Sequence, residues 1–331
     1  SSKSWATGYD FPAIEKEWVQ KNELRDGSIA TGQSFVFNLR RARFQDIRVR
    51  EAIGLMFNFE WSNKTLFYGL YARINSFWEN TDLAASGPPS PGEAALLEPL
   101  AEHFPDGILT EPAVTGAASG ERQLDRGNLR RASRLLDEAG WTPGDDGMRV
   151  NGDGTALRVE FLNDSASFDR IINPFVQNLR ALGIDATLTR VDNSEFTNRE
   201  RNYDFDVITA QFPMSYVPGN GLKQYFGSET ADDSVFNKMG LRNDGIDALI
   251  GHVVDAGTEE ELTTAVRALD RGLRSLRFWV PQWFKDVHTV AYFDMYRRPD
   301  PLPPYALGSV DFWWYDAERA EELIAAGALQ P

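Results

Sequence analysis

The segment 157–188 constrains the fold most, because a long amphipathic pattern lies there between two short alternating ones. Apolar and polar residues alternate at both ends of the segment, which is typical of strands with one buried face. Between them Ile172, Phe175 and Leu179 recur at helical spacing, and Gly183 is placed to end the helix. A strand, a helix and a strand in this order predict a βαβ unit with parallel strands and a right-handed crossover. The fold class is therefore α/β.

Similar patterns predict further elements on both sides of this unit. Short apolar runs at 35–39 and 205–212 are suited to buried strands, and Asp46, Asn128 and Asp316 are predicted N-caps of helices. The remaining predicted elements are helices over 246–256 and 259–277, a β run over 279–293 and a proline-rich extended strap over 297–305.

Composition excludes several functions. The net charge is −15, with 49 acidic against 34 basic residues, so we expect no nucleic-acid partner. There is no cysteine, which removes disulfides and thiolate chemistry, and the three histidines lack metal-binding spacing, so no metal or cofactor is expected. No run of 18 apolar residues occurs. The chain begins at Ser1 with no initiator Met or signal peptide, and we expect it to be processed, truncated or a fragment.

Several motifs resemble one family of transport receptors. They are Phe44–Ile53 (FQDIRVREAI), Ala132–Trp141 (ASRLLDEAGW), Asn178–Ile184 (NLRALGI), Trp5–Ala13 (WATGYDFPA), Asn58–Gly69 (NFEWSNKTLFYG) and Phe312–Asp316 (FWWYD). In order and spacing they are similar to the family 5 extracellular solute-binding proteins, the peptide receptors of ABC importers. The first three resemble the family in general, and the others resemble its YejA-like branch.

The resemblance implies a periplasmic binding protein type 2-like fold with two lobes that enclose an oligopeptide or peptide-like ligand. It implies that residues 1–34 belong to lobe one and the hinge, 35–285 to lobe two, and 286–331 to the return into lobe one. A complete receptor of this kind is about twice as long, so most of lobe one, its N-terminal part, would be missing. The implied partner is a cognate ABC permease, the implied compartment is the periplasm, and no enzymatic activity is expected.

The loop 211–220 is the first candidate site, because it follows a predicted buried strand and open α/β sheets bind ligands at that edge. Its candidate contacts are Phe212, Met214, Ser215, Tyr216 and Asn220; the alternative is a plain connecting loop. In the family's peptide receptors, an Asp in this loop pairs with the ligand ammonium. Here no carboxylate occurs between Asp206 and Glu229, so another acid, a set of dipoles or a different ligand pose must serve.

Three further side chains are candidates for the ligand site. Trp279 and Trp283 either wall the cleft or pack between the lobes, and Arg73 either meets a ligand carboxylate or forms a structural pair. Two alternative functions remain open: a receptor of the same fold for an oligosaccharide, and a hydrolase using two carboxylates. A single lobe would also expose an apolar wall, so self-association is expected as an alternative to ligand capture.

Overall fold

A five-stranded mixed sheet lies at the centre of the computed structural model, which describes residues 2–329. The strands are β1 (Val19–Arg25), β2 (Ser34–Phe37), β3 (Ala72–Arg73), β4 (Thr142–Pro143), β5 (Arg149–Val150), β6 (Arg158–Asn163), β7 (Asp185–Arg190), β8 (Val207–Ala210), β9 (Trp279–Pro281), β10 (Trp283–Phe284), β11 (Val287–Phe293), β12 (Tyr296–Arg297) and β13 (Trp314–Tyr315). The order in the central sheet is β7-β6-β8-β2-β9.

Residues 2–329 form twelve α-helices, several of which cover the two faces of this sheet. They are α1 (Ser2–Thr7), α2 (Pro12–Glu15), α3 (Ile47–Leu55), α4 (Phe59–Leu66), α5 (Pro91–Leu97), α6 (Arg126–Glu138), α7 (Ala166–Ala181), α8 (Asn193–Arg201), α9 (Leu222–Phe226), α10 (Asp244–Asp255), α11 (Glu259–Ser275) and α12 (Ala317–Ala325), with short 3-10 turns over Ala42–Phe44, Glu98–His103 and Ser228–Thr230. Within residues 2–329, none is both long enough and apolar enough to cross a bilayer.

The predicted βαβ unit is confirmed: β6 and β7 pair in parallel, and α7 connects them. β8 also runs parallel to β6, whereas β2 is antiparallel to both β8 and β9. The α/β fold class is therefore confirmed, and the sheet is mixed.

Side chains on alternate positions of the strands build two separate cores. On β2, Phe35 and Phe37 join one core with α3, α6 and α7, while Val36 joins the other with α5, α10 and α11. β8 divides in the same way, with Val207 in the first core and Ile208 in the second. Because successive strand residues point to opposite faces, strands buried on both sides need near-continuous apolar sequences, and the central strands β2 and β8 have them.

One prediction for an individual element was wrong. α6 begins one turn earlier than predicted: the N-cap is Asp125, and the N–H of Asn128 donates to its Oδ1 at 2.8 Å. The β run over 279–293 is confirmed, and it is divided into three strands, because β9 pairs with β2, β10 with β3 and β11 with β1. By contrast, Asp46 and Asp316 cap their helices as predicted.

The two terminal segments are joined by the longest antiparallel pairing of the chain's described part. β1 and β11 pair along seven residues each, from Val19 opposite Phe293 to Arg25 opposite Val287. The strap beyond them contacts the same region, since Pro304 O accepts the N–H of Gly27 at 2.7 Å. The division into lobes at residues 34 and 285 stays a prediction.

α11 carries charged side chains into the second core. Asp270 is fully buried, and its Oδ2 lies 2.9 Å from Nη1 of Arg274. Arg271 is also buried and lies 3.2 Å from a carboxylate oxygen of Glu93. The Asp270–Arg274 pair lies within α11, whereas the Arg271–Glu93 pair ties α11 to α5, so the helix is held by an electrostatic contact as well as by apolar packing.

Candidate functional site

One edge of the central sheet collects the ends of four strands. The parallel strands β6 and β8 end there at Asn163 and Ala210. β2 starts at the same edge, since Ser34 lies opposite both Ala210 and Pro281, the last residue of β9. The loops that follow these ends meet on one surface, which is where ligands bind in open α/β sheets.

Two pockets open along this edge. The Asp164 pocket has a volume of about 450 Å³ and is lined by residues 162–165, Phe168, Phe196, 209–211, Pro213, Tyr225, Phe236 and Lys238. The Gln33 pocket has a volume of about 310 Å³ and is lined by Asp26, residues 28–31, Gln33, Gln211 and residues 283–285. Gln211 lines both, so the two pockets are neighbours.

A chain of side-chain amides crosses this surface. Gln211 Nε2 donates to Gln33 Oε1 at 3.3 Å, and Gln33 Nε2 donates to Gln282 Oε1 at 2.7 Å. Gln282 is fully buried, whereas Gln211 is exposed. An amide carries both donors and an acceptor, so the exposed end of this chain can hydrogen-bond to peptide groups of either polarity.

Asp164 is a candidate that the sequence interpretation missed. It directly follows β6, is exposed, and lines its pocket together with Lys238. Its Oδ2 accepts a hydrogen bond from Asn193 Nδ2 at 3.3 Å, and the described residues place no cation within ion-pair distance of it. The signal was present in the sequence, because the residue after a predicted parallel strand belongs to the ligand-binding edge.

The loop 211–220 divides into a buried and an exposed part. Phe212 is fully buried and packs against Phe77 and Phe226, with ring centroids 5.2 and 5.6 Å away. Met214 is also buried in the same core. These placements favour packing roles for both side chains, and their predicted ligand contact stays a prediction.

The exposed part of the loop faces the strap. Tyr216 is 41% exposed; its OH accepts the N–H of Ile29 at 2.6 Å, and its ring lies 5.3 Å from that of Tyr305. Ser215 O accepts Nε1–H of Trp78 at 3.0 Å. Asn220 is exposed.

Tyr216 lines a third pocket, the strap pocket, which has a volume of about 760 Å³. It is bounded by residues 23–25, Gly27, 80–83, Tyr216, Glu259, 262–263, Arg298, 300–302 and 304–305. None of the residues lining the Asp164 and Gln33 pockets borders it.

The two predicted tryptophans are mostly buried and lie in different cores. Trp279 stacks on Phe77, with ring centroids 3.9 Å apart. Trp283 packs against Phe67 at 4.6 Å and Phe168 at 6.0 Å, and it borders the Gln33 pocket. Trp283 is therefore the predicted tryptophan that reaches the sheet edge.

Arg73 lies opposite Trp283 in the β3–β10 pair, but it borders a different cavity. It lines the arginine pocket, a cavity of about 360 Å³ that is also bordered by Arg50, Glu51, 54–55, Asn75, 111–118, Arg131, Arg274, Arg277 and 279–281. Burial lowers the pKa of Arg73 to about 10. The structure therefore distributes the predicted residues over three pockets: Trp283 in the Gln33 pocket, Tyr216 in the strap pocket, and Arg73 with Trp279 in the arginine pocket.

Comparison with known proteins gives one consistent result. Residues 3–234 match the family described as bacterial extracellular solute-binding proteins, family 5 middle. A protein of Agrobacterium fabrum named probable peptide-binding protein YejA is 39% identical over 317 residues, which cover 95% of this chain and 52% of that protein. The uncharacterized protein YejA of Escherichia coli is 36% identical over 327 residues, covering 98% of this chain and 54% of that protein.

Solved structures share the fold. The oligopeptide-binding protein AppA from Bacillus subtilis, in complex with a nonapeptide, aligns with a TM-score of 0.61 at 16% identity, covering 95% of this chain and 57% of that chain. The chain thus spans about half the length of the curated relatives it matches.

Proposed function

We propose that this chain, which belongs to the family 5 bacterial extracellular solute-binding proteins, forms one wall of a periplasmic receptor that captures oligopeptides or peptide-like compounds and delivers them to an ABC permease. The observation that carries the proposal is the sheet edge, where two pockets that share Gln211 open beside the ends of four strands. Closure of a second wall over this edge would exclude water and give the shape that the permease recognises.

Recognition of a peptide's main chain is the chemistry that this edge supports best. The exposed amide of Gln211 and the half-buried amide of Gln33 offer donors and acceptors at the ends of paired strands. Such groups bind the repeating peptide unit and leave the side chains of the ligand to the adjoining pockets. Trp283 and Phe168 supply an apolar border on one side. This arrangement favours a receptor that binds peptides of many different sequences.

The ligand's ammonium group needs a carboxylate partner, and Asp164 is the acid we assign to it. The family's usual acid is absent from the loop after β8, whereas Asp164 stands at the end of the neighbouring strand β6, in a pocket that also contains Gln211. An ammonium group enclosed without a counter-charge would lose its hydration with no compensation. Asp164 therefore takes over the role of the missing residue.

The test compares a tripeptide with a free α-amine and the same peptide acetylated, by calorimetry on the intact protein. Asp164→Asn should weaken binding of the free-amine peptide by about 10-fold to 100-fold, since hydrogen bonds to charged groups contribute about 1.5–3 kcal/mol. It should leave the acetylated peptide unaffected. Asp145→Asn, at an exposed position outside these pockets, is the matched control. An equal loss for both peptides would refute the assignment of Asp164.

The second wall is expected from the half of the relatives that this chain does not match. An aromatic surface lies on the C-terminal segment, where Tyr305, Phe312, Trp314 and Tyr315 are each between 44% and 64% exposed and Val310 is 92% exposed. Patches of this kind mark interfaces. We assign it to that second half, encoded in the same polypeptide, and take pairing between two copies as the competing outcome.

An antibody against this chain separates these outcomes. Immunoblots of periplasmic and cytoplasmic fractions from the source cells should show a periplasmic band at about twice the 37.2 kDa of the present chain. A cytoplasmic band near 37 kDa would contradict the proposal. Size-exclusion chromatography of the isolated chain then reports whether the exposed surface drives dimerisation.

A receptor leaves its ligand intact, and this distinguishes it from a hydrolase with two catalytic carboxylates. Mass spectrometry of a peptide incubated with the protein should return the unchanged mass. The same calorimetric assay with an oligosaccharide tests the remaining alternative. If the protein binds the sugar more tightly than the peptide, the proposed ligand is an oligosaccharide and not a peptide.

A further inference from the structure

The arginine pocket is strongly cationic in an otherwise acidic protein. Five arginines but only two glutamates line it, whereas the whole chain has a net charge of −15. It lies beside β9, the outermost strand of the sheet, between α3 and the segment 111–118. It has no lining residue in common with the Asp164 and Gln33 pockets, although Arg73 lies opposite Trp283, which borders the Gln33 pocket.

Four of the five arginines have partners that fix them. Arg50 donates to the carbonyls of Leu276, Phe44 and Gln45; Arg131 and Arg277 both pair with Glu51; and Arg274 pairs with Asp270. These side chains build the walls of the pocket.

Arg73 is different. All three of its guanidinium nitrogens are buried, and among residues 2–329 none of them has a hydrogen-bond partner. The group lies over the rings of Phe57 and Phe59, 5.3 and 5.2 Å from their centroids. Cation–π contacts of this kind offset only part of the lost hydration of a buried cation. The pKa of Arg73 is lowered for the same reason, because burial removes water from its charged form.

The backbone at Gly116 packs against the guanidinium. A Cβ on Gly116 would come within 2.5 Å of Arg73 Nη2, so no larger residue fits there without a shift. The N–H of Gly116 donates to Asn75 Oδ1 at 2.9 Å, and both Gly116 and Asn75 line the arginine pocket.

We propose that the arginine pocket binds a small oxyanion, a carboxylate or a phosphate group, through Arg73. A guanidinium presents parallel N–H donors that match two oxygens of such a group. The bound oxyanion supplies the hydrogen-bond acceptors that Arg73 lacks among residues 2–329, and it takes the place of Gly116 beside the guanidinium. The surrounding arginines add a positive field that favours any anion entering the pocket.

The experiment titrates the protein with inorganic phosphate and, separately, with succinate, at an ionic strength held constant with sodium chloride. Calorimetry should give saturable binding of at least one of them, and which one identifies the phosphate or the carboxylate source. Arg73→Gln should weaken that binding at least tenfold. Arg158→Gln, an exposed arginine on β6 far from the pocket's lining, should leave it unchanged.

A second variant keeps the charge and alters the space. Gly116→Ala places a methyl group against the guanidinium, so it should weaken oxyanion binding while leaving five arginines in the pocket. If Arg73→Gln does not fold, Gly116→Ala alone serves as the test of oxyanion binding. The proposal is overturned if the wild type shows no saturable binding beyond the chloride control. It is also overturned if Arg73→Gln, or Gly116→Ala where Arg73→Gln does not fold, binds the oxyanion with the affinity of the wild type.

Discussion

Replacing Asp270 with alanine is expected to destabilise the fold by about 4 kcal/mol, a large effect for one side chain. Asp270 is fully buried on α11. Its Oδ1 accepts the N–H of Phe77 at 3.0 Å, and its Oδ2 accepts both the N–H of Ala85 at 3.0 Å and Nη1–H of Arg274 at 2.9 Å. One carboxylate thus holds a loop and a neighbouring cation in the core.

The magnitude follows from what the substitution leaves behind. Breaking one side of a buried ion pair costs about 3–5 kcal/mol, and each buried N–H without an acceptor costs about 1–3 kcal/mol. These costs overlap, because Arg274 keeps its hydrogen bonds to the carbonyls of Val114 and Ala85 and water can enter the space. About 4 kcal/mol is the expected net loss in the free energy of unfolding.

Urea unfolding followed by tryptophan fluorescence and far-UV circular dichroism measures this loss. With a denaturant slope of about 3 kcal/mol/M, the midpoint should fall by more than about 1 M. Asp270→Asn should also be strongly destabilising, since one amide oxygen cannot accept from three donors. Asp255→Ala, at an exposed helix position, is the control and should change stability by less than about 0.5 kcal/mol. If Asp270→Asn unfolded at the midpoint of the wild type, the reasoning from the buried charge would be refuted.

Two further predictions concern local structure. Asp125 accepts the N–H groups of Asn128 and Gly120, which lower the pKa of its carboxyl group, so Asp125→Ala should cost about 1 kcal/mol at pH 7. That difference should disappear as the pH falls through the lowered pKa, because the protonated acid loses its advantage in the folded state; a difference that stays constant from pH 7 to pH 3 in urea titrations would contradict this. Gly183 has a φ of +91° and a Cβ there would lie 2.7 Å from Gly147 O, whereas Gly140 has a φ of +83° and open space around it. Gly140→Ala should therefore lose about 1–2 kcal/mol and Gly183→Ala clearly more, and equal losses in the same assay would show that the contact with Gly147 does not matter.

The elements that sequence predicted well are those encoded by local periodicity. The βαβ unit from β6 to β7 follows from patterns within a few residues of each position, and so do the caps at Asp46 and Asp316. The cap of α6 was misplaced because Asp125 and Asn128 are both good capping residues one turn apart. The run 279–293 was read as one β segment because its division depends on three distant partners, which local pattern does not contain.

The candidate site was predictable only to the level of the sheet edge. Strand order and direction place the loop after β8 at this edge, but they do not say which of its side chains turn inward. Phe212 and Met214 pack into the core because aromatic rings from Phe77 and Phe226 surround them, and those rings come from distant parts of the chain. The position of Asp164 could have been inferred, since it needs only the end of β6.

The contrast between Asp270 and Arg73 shows why charge in a sequence does not reveal burial. Both stand in ordinary-looking segments, yet Asp270 has three donors around it, whereas within the part of the chain that the structure describes the guanidinium of Arg73 has no hydrogen-bond acceptor. Removing the two groups should consequently change the free energy of unfolding by very different amounts. Loss of Asp270 leaves Arg274 and two N–H groups without their acceptor, whereas loss of the Arg73 charge leaves nothing unpaired behind it. Without an oxyanion, Arg73→Gln should therefore be close to neutral in stability, and the stabilisation that the oxyanion gives to the wild type should be absent from the variant.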